Sequence, residues 1–175
     1  SFLASGSISY LYYSNRIFQL PLALFAIATS IALFPSIARY IKNQDEQKAM
    51  NYLKKAFWFL AFLLTFSTIG GFVLAKELIW GLFERGAFSS MDTQNTTMVL
   101  QMYMIGLLPF GLQKLFLLWL YAKEEQLKAA KIATISLGSN IVFSLLLIAP
   151  MGAAGLALAG TLGGFIGFTL TLRAF

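Results

Sequence analysis

Long stretches without a charged side chain constrain the fold of this chain more than any other feature. Four such stretches separate the clusters of Lys, Arg, Asp and Glu, at residues 17–38, 56–75, 93–113 and 132–172. Each of the first three is long enough for one membrane-spanning helix, which needs about 20 apolar residues. The fourth is interrupted by Ala149-Pro150-Met151-Gly152, so it predicts two helices joined by a tight turn.

We therefore predict an all-α, polytopic membrane bundle of about five transmembrane helices, at about residues 9–35, 55–78, 96–121, 130–149 and 152–173. A soluble domain carries about 25% charged residues, whereas this chain carries 11%. The alternating segments of about ten residues that mark a membrane β-barrel are absent. The chain begins with Ser1 and ends with Arg173-Ala174-Phe175 directly after the last span, so we expect one segment of a larger membrane protein.

The residue types that most enzymes and metal sites use are missing. The sequence contains no Cys and no His, which removes thiolate ligands, the commonest metal ligand and the commonest general base. We therefore predict neither a metal site nor a cofactor. Nucleic-acid binding would need basic residues clustered on a soluble face beside stacking aromatics. Most aromatic residues here fall inside the predicted spans, so no nucleic acid is expected as a partner.

The distribution of Lys and Arg predicts the orientation of the bundle. Five lie between the first and second spans, two around the next loop, three in the third, none in the fourth and one at the end (Arg39, Lys42, Lys48, Lys54, Lys55; Lys76, Arg85; Lys123, Lys128, Lys131; Arg173). Because cytoplasmic loops are enriched in Lys and Arg, loops 36–54 and 122–130 are predicted to be cytoplasmic. Loop 79–95 is predicted to be external.

Arg16 is the first candidate for a functional residue, because it lies inside the first predicted span. Ser9, Tyr12, Arg16 and Gln19 follow helical spacing and form one polar stripe. Such a stripe is expected to face a bundle interior or a wet cavity, since lipid cannot hydrate it. A guanidinium there suits a phosphate or carboxylate ligand. The alternatives are a side chain that snorkels to the interface or a structural ion pair. Pro21 favours a kink just after this stripe.

Lys114 is the second cation within a predicted span. It follows Gly106, Pro109 and Gly111 in GLLPFGLQK, which predicts a bent or partly unwound helix. The alternative is a lysine that snorkels to the cytoplasmic end of the span.

The external loop 81–95 holds the third group of candidates. Glu84 and Arg85 precede Gly86, which we expect to adopt positive φ, and Ser89-Ser90-Met91-Asp92 resembles a capping box. The composition predicts a local ion pair in this loop, and an external gate formed by Glu84 and Arg85 is the alternative. In the last span, Gly160-x-x-x-Gly164 and Gly163-x-x-x-Gly167 predict close helix packing, with a sliding surface as the alternative.

Three stretches carry a family resemblance: SGSISYLYYSNRIFQLPLALFAIA from residue 5, LFPSIAR at 33–39 and LFERGAF at 82–88. In this order they resemble the MurJ (MviN) lipid II flippases of the multidrug/oligosaccharidyl-lipid/polysaccharide exporter superfamily. Members typically have fourteen transmembrane helices, and the chain resembles the eighth to the twelfth. The resemblance implies a multi-pass protein of the bacterial cytoplasmic membrane that exports the lipid-linked peptidoglycan precursor by alternating access between two lobes.

The resemblance also implies roles for single residues. Family members carry an essential arginine in the Tyr-Tyr-x-x-Arg stretch of the eighth helix, which corresponds to Arg16 facing a cationic central cavity. Tyr12 and Gln19 share its stripe, and Lys114 is similar to a lysine common in the tenth helix. We expect these four residues to bind the lipid-linked substrate, with the cationic cavity holding its pyrophosphate. Whether an ion drives transport stays open.

Other functions remain as alternatives. A related exporter would move capsule or O-antigen lipid-linked oligosaccharides, or drugs. A cation-drug exporter is expected to carry carboxylates within the membrane, and none lies deeper than Glu77. A membrane enzyme acting on lipid phosphates usually needs acidic metal ligands or His, so we predict a transporter and not an enzyme. A purely structural membrane subunit would give Arg16 no purpose.

Overall fold

A computed structural model describes residues 6–175, and the regular elements within that range are all helical. They are α1 (Ser7–Pro21), a π-helical segment (Leu22–Ile27), α2 (Ala28–Lys42), α3 (Glu46–Val73), α4 (Ala75–Phe83), α5 (Ser90–Ile105), α6 (Leu107–Ala122) and α7 (Gln126–Ala174). The prediction of an all-α membrane bundle is confirmed. Ser1, on which the expectation of a larger protein partly rests, lies outside the described residues.

Four helical runs in the described part of the chain are long and apolar enough to cross a membrane: Ser7–Lys42, Glu46–Val73, Ser90–Ala122 and Gln126–Ala174. The last of these contains a sharp reversal, because Gly152 has φ 56° and ψ −128°, which is not helical. The Ser136 hydroxyl donates to the Gly163 carbonyl oxygen at 2.6 Å, so the two arms of α7 fold back against each other. The turn predicted at 149–152 is therefore present, and it divides the last run into two arms.

Two further interruptions follow the helix-breaking residues. Directly after Pro21, which cannot donate a backbone hydrogen bond, the helix widens into the π-helical segment Leu22–Ile27. In the third run the predicted break is present at Gly106, between α5 and α6, while Pro109 and Gly111 are accommodated within α6. Both interruptions lie inside membrane-length runs.

The turn after α2 and the turn after α6 have the same backbone form. Gln44 has φ 59° and Glu124 has φ 60°, and each follows a helix C-terminus by two residues. The Lys123 ammonium lies 3.0 Å from the Glu46 carboxylate, so the two turns lie at the same end of the bundle. Asp45 caps α3, and the hydrogen bond from the Lys48 side chain holds the pKa of its carboxyl below the usual value.

The helical run α5–α6 is the centre of the bundle and contacts every other helix described. Its buried side chains include Leu100, Leu107, Leu115 and Trp119, whereas α3 and α7 expose most of their apolar surface. The Thr161 hydroxyl donates to the Met102 carbonyl oxygen at 2.7 Å and ties α7 to this centre. A hydrogen bond of this kind adds about 0.6 kcal/mol to helix association within a membrane.

The glycine-rich arm of α7 approaches its neighbours closely, as the spacing of its glycines predicts. A methyl group placed on Gly164 would lie 2.5 Å from Phe110 Cζ, and one on Gly163 would lie 3.0 Å from the Ser136 carbonyl oxygen. A methyl group on Gly160 would meet its first neighbour only at 4.0 Å. Close packing therefore depends on some of these glycines and not on others.

Candidate functional site

The stripe predicted on the first helix lies on one exposed face of α1. Ser9, Tyr12, Arg16 and Gln19 are all exposed. The same face continues past the π-helical segment through exposed side chains at helical spacing (Ala23, Ile27, Ile31, Phe34). The face is thus polar along α1 and apolar along α2.

The opposite face of α1 is held against α5. The Tyr10 hydroxyl donates to the Asp92 carboxylate at 2.6 Å, and the buried Ser14 hydroxyl donates to the Thr96 carbonyl oxygen at 2.9 Å. Phe18 is buried in the same interface and lies 5.5 Å from the Tyr103 ring, centroid to centroid. These contacts fix the rotation of α1, so Arg16 is directed away from the described bundle.

Of the residues that the structure describes, only Tyr12 forms a hydrogen bond and a cation–π contact with the Arg16 guanidinium. Arg16 Nη2 donates to the Tyr12 hydroxyl at 2.8 Å, and Arg16 Cζ lies 4.9 Å from the centroid of the Tyr12 ring. Among the described residues, no carboxylate lies within ion-pair distance of Arg16. A guanidinium has five N–H donors, so most of its donors are free to bind an anion in a forked geometry.

Lys114 is exposed on α6 but does not join the Arg16 cluster. It lines a groove of about 390 Å³ between α2 and α6, whose other walls are mostly apolar (Ile27, Ser30, Ile31, Phe34, Leu117, Leu118, Tyr121). Arg16, Tyr12 and Gln19 do not line this groove. The four predicted binding residues therefore form two separate groups.

The predicted ion pair in the loop before α5 is wrong for the described residues. Arg85 Nη2 donates to the Gly81 carbonyl oxygen at 2.9 Å, and Glu84 accepts a hydrogen bond from the Thr93 hydroxyl. The two side chains form hydrogen bonds with different partners and line different cavities. Their assignment to an external gate stays a prediction.

Two local predictions for this loop are confirmed. Gly86 has φ 62°, a conformation that costs glycine little. Ser89 and Asp92 form a reciprocal capping box, because the Ser89 side chain accepts from the Asp92 backbone N–H and the Asp92 side chain accepts from the Ser89 backbone N–H.

Sequence reasoning missed the residues that position Arg16. Tyr10 and Ser14 are one helical turn apart, which marks them as a common face, but their partners Asp92 and Thr96 are each 82 residues away. Sequence reasoning also missed Ser30, whose hydroxyl oxygen is shielded from solvent and has no hydrogen-bond partner among the described residues. Nothing in the residues around Ser30 signals this.

Comparison with known proteins bears on the identity of this arrangement. The probable lipid II flippase MurJ of Helicobacter pylori (strain J99) is 58% identical over 175 residues, covering 100% of this chain and 38% of the relative. The probable lipid II flippase MurJ of Haemophilus influenzae is 36% identical, covering 99% of this chain and 35% of the relative. The chain thus spans little more than a third of the length of these curated relatives.

A solved structure agrees with the sequence comparisons. A lipid II flippase MurJ in an inward closed conformation superimposes with a TM-score of 0.89 and 31% sequence identity, covering 98% of this chain and 36% of that chain. The family model described as lipid II flippase MurJ matches residues 1–175. A match over the whole chain, together with the shared fold, shows that the chain belongs to the MurJ family.

Proposed function

We propose that the chain is part of a flippase that exports lipid II across the bacterial cytoplasmic membrane by alternating access. In this proposal it supplies about five helices, the eighth to the twelfth, of a fourteen-helix transporter. The observation that carries the proposal is Arg16, a permanent cation on an exposed face of a membrane-length helix, with Tyr12 as its described partner. A cation at such depth is costly unless a ligand or another protein group compensates its charge.

The chemistry of the substrate fits this arrangement. The pyrophosphate of lipid II carries about two negative charges, and a guanidinium binds phosphate oxygens through two parallel hydrogen bonds. Tyr12 orients the guanidinium from one side, and Gln19, one turn further along the exposed face, adds amide donors. We assign Arg16, Tyr12 and Gln19 to the pyrophosphate, and Lys114 to the same substrate at a second position.

The orientation of the chain in the bilayer follows the charge pattern. We place loops 36–54 and 122–130 on the cytoplasmic side and loop 79–95 on the external side. The Lys123–Glu46 ion pair supports placing loops 36–54 and 122–130 on the same side of the membrane. With this orientation, an inside-negative potential favours outward movement of the anionic head group.

A drug exporter of the same superfamily fits the described residues less well. All the acidic side chains lie in turns, in the short helix α4 or in the first turn of a helix (Asp45, Glu46, Glu77, Glu84, Asp92, Glu124, Glu125). None lies midway along a membrane-length run, where a cationic drug would need a counter-charge. The arrangement of charge therefore favours an anionic substrate.

Complementation of flippase-depleted cells tests the proposal. Cells would carry the full-length protein with Arg16→Ala, Arg16→Lys or, as a matched control, Arg173→Ala, which removes an exposed arginine at the end of α7. We expect Arg16→Ala to abolish growth, Arg16→Lys to support it weakly because a lysine cannot form the fork, and the control to grow normally. Normal growth of both Arg16 variants at normal protein levels would refute the assignment.

A further inference from the structure

We propose that the groove between α2 and α6 binds the apolar chain of the lipid substrate together with the phosphate nearest that chain. This binding position is separate from Arg16. This inference rests on the proposed function, since it assigns a second binding position to the same lipid. It also identifies Lys114 and Ser30 as the polar contacts of that position.

The shape and lining of the groove suit a hydrocarbon chain. It has a volume of about 390 Å³, and one wall, from the end of the π-helical segment and from α2 (Ile27, Ile31, Phe34), faces another from α6 (Leu117, Leu118). Ile31 is 69% exposed and Phe34 is 42% exposed, so the described residues leave much of this surface uncovered. Within a bilayer the gain comes from close packing of the chain against the groove, since lipid tails are as apolar as its walls.

The polar groups of the groove, Lys114 and Ser30, favour a ligand with a phosphate head group. Lys114 is exposed, and no carboxylate among the described residues lies within ion-pair distance of it. Ser30 lines the same groove, and its buried hydroxyl oxygen has no described partner. Ser30 Oγ is shielded in the described structure, so the hydroxyl must rotate toward the groove before it can donate to a ligand. A phosphate oxygen is an acceptor for both the Ser30 hydroxyl and the Lys114 ammonium.

The groove lies on the same helical run as Arg16, so it would be a second binding position for the same lipid. Ser30 lies 14 residues after Arg16 along the same helical run, which places it about 20 Å further along the axis. The exposed face is continuous between them, and the π-helical segment lies in the interval. In the orientation proposed above, the groove lies in the cytoplasmic half and Arg16 in the external half.

These features single out one kind of occupant. A cationic ligand would be repelled by Lys114, and a neutral chain would leave the Ser30 hydroxyl and the Lys114 ammonium unmatched. In an amphiphile with a phosphate directly joined to a long apolar chain, the chain packs against both apolar walls and the phosphate binds the Ser30 hydroxyl and the Lys114 ammonium. A lipid-linked precursor has this form, because its pyrophosphate is attached to the end of its isoprenoid chain.

Photolabelling of the full-length protein in lipid vesicles tests the inference. The probe is a polyprenyl diphosphate with a diazirine in the first part of its chain, and the comparison probe is phosphatidylglycerol with a diazirine in one acyl chain. We expect the first probe to label peptides containing residues 27–34 and 117–121. The second probe should label these peptides much less.

Matched variants make the result specific. Ile31→Trp fills the groove and should abolish labelling, whereas Ile141→Trp changes a side chain that is 53% exposed on α7 and should have no effect. Lys114→Gln should weaken binding of the polyprenyl probe about tenfold, the usual loss when a hydrogen bond to a charged group is removed. Lys114→Arg should retain binding, and Lys54→Gln, an exposed cation on α3, should leave it unchanged.

The outcomes separate this inference from the proposed function. Labelling elsewhere, equal labelling by phosphatidylglycerol, or full labelling of Ile31→Trp would overturn the groove assignment, even if Arg16→Ala abolishes flipping in the same vesicles. Specific labelling of the groove supports the assignment, even if Arg16→Ala flips lipid at the normal rate and the role of Arg16 has to be abandoned.

Discussion

Two glycines of one motif in α7 are expected to respond in opposite ways to the same substitution. Gly160 and Gly164 form a Gly-x-x-x-Gly pair, and each would be replaced by alanine. A methyl group on Gly160 would lie 4.0 Å from the Asn140 amide nitrogen, which is an ordinary contact. A methyl group on Gly164 would lie 2.5, 2.7 and 2.8 Å from three carbons of the Phe110 ring. The Phe110 ring must therefore move in the second variant only.

The magnitude follows from two opposing contributions. Alanine is favoured over glycine in a helix interior by about 1 kcal/mol, and this gain is the same in both variants. Overpacking of a well-filled contact costs about 1–3 kcal/mol. Phe110 cannot yield freely, since its ring also packs against Gly106 and lies 5.9 Å from the Phe18 ring. We expect Gly160→Ala to stabilise the bundle by up to about 1 kcal/mol and Gly164→Ala to destabilise it by up to about 2 kcal/mol.

Equilibrium unfolding of the intact protein in mixed micelles, with increasing denaturing detergent, measures the free energy of unfolding for both variants. The helix propensity cancels between them, so the difference of about 1–3 kcal/mol reports the Phe110 contact alone. A double variant that also carries Phe110→Leu should recover part of the loss in Gly164→Ala. Equal stability of the two single variants would refute the reasoning, because it would show that the motif acts through both glycines alike.

Three further results are expected. Tyr12→Phe removes the 2.8 Å hydrogen bond to Arg16 but keeps the ring, so the flipping rate in vesicles should fall about fivefold. Tyr12→Ala should lower the rate further. Equal rates for both variants would contradict a role for the ring. Collapsing the membrane potential should slow export, since two charges gain about 4–5 kcal/mol at 100 mV; an unchanged rate would count against it. Gly86→Ala, at φ 62°, should lower the free energy of unfolding by about 1 kcal/mol, whereas the helical Gly81→Ala should not.

The parts of the fold that depend on neighbouring residues could be predicted from the sequence. Charge-free stretches located the membrane-length helices, because lipid excludes unpaired charge. Ser89 and Asp92 form the expected capping box, Gly86 has positive φ, and Gly152 reverses the chain within α7. Each of these features is set by a few adjacent residues.

The parts that depend on distant partners could not be predicted. Glu84 and Arg85 are adjacent, yet Thr93 and the Gly81 carbonyl oxygen are their partners, so no ion pair forms in the described loop. The sequence predicts a break among Gly106, Pro109 and Gly111 but not its position, which is Gly106, while Pro109 is accommodated within α6. The separation of Lys114 from Arg16 follows from packing between helices, which no spacing within one helix reveals.

The paired turns around Gln44 and Glu124 have a consequence for protein engineering. The tripeptides Asn43-Gln44-Asp45 and Lys123-Glu124-Glu125 take the same backbone path, although one joins a largely exposed helix pair and the other leads out of the buried centre. The burial of the flanking helices is therefore independent of the joint that connects them. The two tripeptides can be exchanged as backbone joints without changing the net charge of either turn, and the contacts that the exchange removes are the Asp45 cap of α3 and the Lys123–Glu46 ion pair.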